Sequence, residues 1–137
     1  MPILFHAFIE GTPIPQGSKT AMVVNGRAVM FEANKKHKAW RDHVANRMRG
    51  ASPTSDPVRC ELTFIFERPK TVKRAYPSVK PDIDKLARTI LDAATGHIVK
   101  DDSQVVILNC RKTYGDKAGV LVRFMHIQDW AFPEYND

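Results

Sequence analysis

The residues that could do chemistry in this sequence are four aspartates in two short groups. Asp82 and Asp84 stand in Pro81-Asp82-Ile83-Asp84, and Asp101-Asp102 form a second group further on. Carboxylates converging from two segments suit one or two Mg²⁺ ions, because that cation takes hard oxygen ligands and keeps several waters. Such an ion activates water and neutralises charge developing on phosphate oxygens, as phosphodiester hydrolysis requires. Without metal the same carboxylates would repel a phosphate. Each group also has a plain structural meaning. An Asp at a helix N-cap is common, a second Asp in the first turn favours the macrodipole, and an Asp-Asp pair before a strand is often only a turn. An Asp-x-Asp nucleotide site of the sugar-transferase kind belongs to chains longer than these 137 residues.

The elements that must position these acids follow from hydrophobic spacing. Ile83, Leu86, Ala87, Ile90, Leu91 and Ala94 trace one face of a helix expected from Asp82 to about Thr95. Gly96 is its natural stop. Pro81 keeps the preceding residue extended, which puts Asp82 at the N-cap. Asp84, Arg88, Asp92 and Thr95 share the opposite, polar stripe. A strand from about Gln104 to Lys112 then runs back antiparallel to the helix. Whether its start approaches Asp82 depends on the fold.

Upstream, residues 3–9 read as a strand, and the prolines and glycines of residues 11–18 make a loop. Residues 20–24 and 27–31 flank Asn25-Gly26, a tight-hairpin signal. A basic helix is expected from about Ala33 to Arg49, with Trp40, Val44, Ala45 and Met48 at helical spacing. In a strand over residues 57–67, Leu62, Phe64 and Phe66 alternate with Glu61, Thr63 and Ile65. A Gly115–Gly119 turn leads to a last strand near Val120–His126, and the tail at 129–137 is acidic and aromatic. Trp40, Phe64, Phe66 and Leu91 are assigned to the core. This order implies an α+β fold: one two-layer domain over residues 1–137, a mixed β-sheet with two main helices on one face.

Net charge is +6 and the pI near 9.5, which favours polyanions, chiefly nucleic acid. Arg68, Lys70, Lys73, Arg74 and Lys80 crowd the loop that leads into Asp82. A cationic loop there would draw phosphates in past the carboxylates. Lys35, Lys36, Lys38 and Arg41 on the first helix read equally as a solvated face. Tyr76 is a stacking platform for a base or a packed ring. His37, His43 and His97 are scattered; His97 stands near the acids, though a lone histidine more often has no catalytic role. Cys60 and Cys110 lack zinc-site spacing and read as buried thiols in a reducing compartment. The sequence has no apolar run of membrane-spanning length, and Met1–His6 lack a signal-peptide pattern, so the cytoplasm is expected.

Lys80-Pro81-Asp82-Ile83-Asp84-Lys85-Leu86, Leu91-Asp92-Ala93-Ala94, Gly96 and Lys100-Asp101-Asp102-Ser103-Gln104-Val105-Val106, in that order, resemble the RusA family of Holliday junction resolvases, which are often phage-borne. The likeness is dense over residues 80–106. It extends loosely to Gly11-x-Pro13-x-Pro15 and Arg111-Lys112. The resemblance implies a homodimer in the cytoplasm of a bacterial host, encoded by a phage or prophage, that binds branched DNA such as a four-way junction. It implies cutting with Mg²⁺, or with Mn²⁺ in its place. It makes Asp82, Asp84 and Asp102 the metal-binding acids, with Asp101 beside them. Lys85 and Lys100, beside these acids, join the loop cations as expected DNA-binding residues. Two positions depart from the pattern. Lys85 stands where the family has Asn and points to a different side of the helix. Arg88 stands where the family has a catalytic Lys. Arg88 can act by charge but not by proton transfer at neutral pH. The alternative reading is a module that binds junctions and cuts weakly or not at all.

Overall fold

The computed structural model describes residues 3–16, 19–24, 27–32 and 35–127. The chain runs β1 (Ile3–Glu10), β2 (Lys19–Val24), β3 (Arg27–Glu32), α1 (Lys35–Met48), β4 (Val58–Phe66), α2 (Ile83–Ala94), β5 (Val105–Tyr114) and β6 (Gly119–His126). β1, β6, β4 and β5 form one sheet in that order, and β2 pairs with β3 in a separate antiparallel ribbon. The Asn25-Gly26 turn and the 129–137 tail lie outside the described residues.

The sheet is mixed. β6 runs antiparallel to both β1 and β4, whereas β4 and β5 are parallel. Parallel neighbours need a crossover, and α2 supplies it. The period-2 pattern of β4 turns Val58, Cys60, Leu62 and Phe64 to the buried face, where they meet Val120, Val122 and Phe124 of β6 and Ile9 of β1. The helices cover this face. α1 contributes Trp40, Val44 and Met48, and α2 contributes Leu86, Ala87, Ile90, Ala93 and Ala94. The two-layer α+β expectation therefore holds, with Trp40 and Phe64 in the core and Phe66 and Leu91 half-buried against it. Cys60 is buried and Cys110 half-buried, both as thiols. Burial raises the Cys60 thiol and pushes Cys110 up to about 11, so neither is a thiolate at neutral pH.

Two glycines act through backbone form. Gly96 closes α2 with φ 89° and donates its N–H to the Val99 carbonyl at 2.7 Å. Gly11 has φ 137°, and a Cβ there would lie 2.7 Å from the Trp40 ring. The loop after β1 therefore lies flat on the core. From there it crosses to α2, where the Gln16 N–H donates to the Lys85 carbonyl at 3.1 Å and the Thr89 hydroxyl donates to the Ile14 carbonyl at 3.3 Å.

Candidate active site

The crossover fixes where the acids stand. α2 begins beside the end of β5: Lys112 Nζ donates to the carbonyls of Val79 and Pro81, both at 2.9 Å. α2 ends beside the start of β4. There the Thr54 N–H donates to the Ile98 carbonyl at 3.0 Å, and Gln104 Nε2 donates to the Thr54 and Asp56 carbonyls at 2.8 and 2.9 Å. The two acidic groups thus occupy opposite ends of one helix. Its 12 residues span about 18 Å at 1.5 Å each. Among the described residues, no three Asp, Glu, His or Cys side chains gather to hold a metal within one chain.

Asp82 and Asp84 are exposed at the head of α2. Asp82 occupies the N-cap position with φ −71° and ψ 138°, yet its side chain makes no cap hydrogen bond. Its Oδ2 instead accepts from Lys85 Nζ at 3.1 Å. That hydrogen bond and charge, with Lys80 and Lys112 adding to them, hold the carboxyl below the usual range. Lys85 thus reaches back to Asp82. One turn of helix at i, i+3 is sufficient. Asp84 and Arg88 are exposed, and their side chains make no hydrogen bond or ion pair among the described residues.

At the other end the two aspartates divide the work. Asp101 Oδ2 accepts from the Ser103 N–H at 2.9 Å, and Gln104 Oε1 accepts from the Asp101 N–H at 2.9 Å. This capping box opens a single 3₁₀ turn over Asp102–Gln104. The hydrogen bonds from Ser103 lower the Asp101 carboxyl. Asp102 is exposed and unengaged among the described residues. The cap therefore employs the Asp101 carboxylate and leaves that of Asp102 out of it. Lys100 is exposed beside it, and His97 lies in the turn that ends α2.

The basic loop stands at the Asp82 end. Lys70, Lys73, Arg74 and Lys80 are exposed, and so is Arg68, which donates to the Ala75 carbonyl at 3.3 Å and lies 5.0 Å from the Tyr114 ring centroid. Tyr76 is 69% exposed, so it is not a packed ring. On α1, Lys35 and Lys38 are exposed away from the buried Trp40 stripe, whereas Arg41 is half-buried at its edge. Lys112, which no sequence motif singles out, ties the end of the basic loop to the sheet through its ammonium. Strand alternation from Cys110 would have turned it toward the helix layer.

Two comparisons bear on this arrangement. The protein YqaN of Bacillus subtilis (strain 168), itself described as uncharacterized, is 28% identical over 133 residues, covering 87% of this chain and 94% of its own. The family model described as Endodeoxyribonuclease RusA matches residues 10–125, a span that holds both acidic groups, the helix between them and the basic loop. The chain therefore belongs to the RusA endodeoxyribonuclease family.

Proposed function

We propose that this protein is a metal-dependent endonuclease that cuts four-way or other branched DNA, with Asp82, Asp84 and Asp102 as metal ligands. The observation that carries this reading is the placement of two exposed carboxylates, Asp82 and Asp84, at the foot of an exposed basic loop. The donor set fits Mg²⁺ or Mn²⁺, since one or two carboxylates plus substrate phosphate make a usual Mg²⁺ site. When bound, the cation would supply an activated water and neutralise phosphate charge. The chain's own cations do the rest. Arg68, Lys70, Lys73, Arg74 and Lys80 draw in and orient the backbone, and Lys100 offers the same charge at the other end of α2. Lys85, beside Asp82, can exchange its carboxylate for a phosphate oxygen. Arg88 offers fixed positive charge to the phosphate, without a proton to give.

The length of α2, about 18 Å, bears on the assembly. Asp102 cannot complete the Asp82–Asp84 end of its own chain, so a second copy must bring it. A two-fold homodimer would build two equivalent sites, each from both chains. Two such sites suit symmetric cutting of a junction.

One feature favours the second reading, a junction binder that cuts weakly. The Lys85–Asp82 pair occupies a proposed ligand. One experiment separates them. The protein is incubated with a synthetic four-way junction and with linear duplex, in Mg²⁺, Mn²⁺ or EDTA. Metal-dependent junction cutting, lost in Asp82→Asn and in Asp102→Asn with binding retained, supports the nuclease. Binding without cutting in any metal supports the binder. Normal cutting by both variants removes the assigned site.

A further inference from the structure

Beside Asp82 lies an open groove of about 560 Å³ that the acids and the basic loop do not explain. Pro13, Ile14, Pro15, Phe66 and Pro81 make its walls, and Asp82 stands at its edge. Lys80 and Lys85 add two cations. Gln16 also lines it, and the Gln16 Oε1 has no hydrogen-bond partner among the described residues. Among the described residues that buried oxygen is uncommitted, and a turn about the last torsion of the side chain offers either oxygen or NH₂ to an occupant.

We propose that this groove holds an unstacked nucleobase of the cut strand, next to the phosphate at Asp82. The inference rests on the nuclease reading and adds to it a subsite that fixes where along the strand the cut falls. Four features select the occupant. The walls are apolar and include an aromatic ring and proline faces, which suit a flat base lifted from its stack. The volume lies in the roughly 300–1,000 Å³ range of small-ligand clefts, enough for a base with its sugar. The flanking lysines match the phosphates on either side of such a nucleotide. Continuity with Asp82 places it one nucleotide from the reacting bond. A branch point supplies bases whose stacking is already broken, so extraction costs least there. The wall is held in register with the acid, because the Gln16 N–H and the Thr89 hydroxyl tie the loop to α2.

The test uses wild-type protein with Mg²⁺ and four-way junctions varied at the nucleotides flanking the cut. Each flank carries each of the four bases or an abasic sugar. Removing the base on one flank should slow cutting by roughly tenfold or more, with junction binding little changed. Gln16→Ala should flatten the base preference at that flank. Equal rates on abasic and intact junctions, with an unchanged preference in Gln16→Ala, would overturn the subsite while leaving metal-dependent cutting intact. A second measurement does not depend on cutting. In EDTA, 2-aminopurine is placed at successive positions around the branch. One position should brighten on binding, and Ile14→Ser should abolish that signal without releasing the junction. If no position responds, or Ile14→Ser responds as wild type does, the groove holds no base. Complete absence of cutting alongside a normal 2-aminopurine response would instead fault the nuclease reading and keep the groove.

Discussion

Mixing two inactive variants distinguishes a site built from two chains from a site built within one. Asp82 and Asp102 are separated by the length of α2, about 18 Å. Mg²⁺ holds its oxygen ligands at about 2 Å, so two carboxylates on one ion stand only a few ångströms apart. No rotamer of either side chain closes the remaining gap. In a two-chain site, a heterodimer of Asp82→Asn with Asp102→Asn carries both defects in one centre and none in the other. Equal mixing with free exchange makes half the dimers mixed, each with one intact centre of two. Cutting should then return to about a quarter of the wild-type count of sites. Each variant alone should be close to inactive. The assay is nicking of an end-labelled four-way junction on a denaturing gel, with exchange confirmed by copies of different mass. Mixed dimers should leave single nicks rather than paired cuts. If the mixture stays as inactive as its parents after exchange is confirmed, each chain builds its own centre and the separation argued from α2 is wrong.

Four further outcomes follow from individual contacts. Gly11→Ala should destabilise the fold by about 1–3 kcal/mol, seen as a lower Tm, because the new methyl meets the Trp40 ring at 2.7 Å and the φ of 137° is strained for alanine. Lys112→Met should slow cutting roughly tenfold or more by releasing the Val79 and Pro81 carbonyls that set the head of α2, with junction affinity little altered. Arg74→Ala should lower the slope of log affinity against log salt by about 1, and an unchanged slope would take that residue off the DNA. Asp101→Asn should lower the Tm at neutral pH by weakening the Ser103 cap. The Asp101 carboxyl is held below its usual 3.8, so its contribution is present above that pH and is lost as pH falls through the lowered value. The Tm gap between variant and wild type should therefore close in acid.

Much of this protein is legible one segment at a time. The apolar stripe from Ile83 to Ala94 demands a helix, Gly96 ends it, and the alternation from Val58 to Phe64 demands a strand buried on one face, because each signal lies within the periodicity of a single element. The acidic groups and the basic loop were visible for the same reason: they are runs of neighbouring residues, and their ordered motif matched a family. What only the tertiary structure decided is distance. A parallel β4–β5 pair makes α2 run back along the sheet between them, which parts Asp82 from Asp102, and no local spacing records that parallel choice. Long-range pairing likewise brings Lys112 under the loop end and lays Pro13–Gln16 against α2 to form the groove. These contacts join residues tens of positions apart, and their partners are chosen by sheet order and core packing rather than by neighbouring side chains.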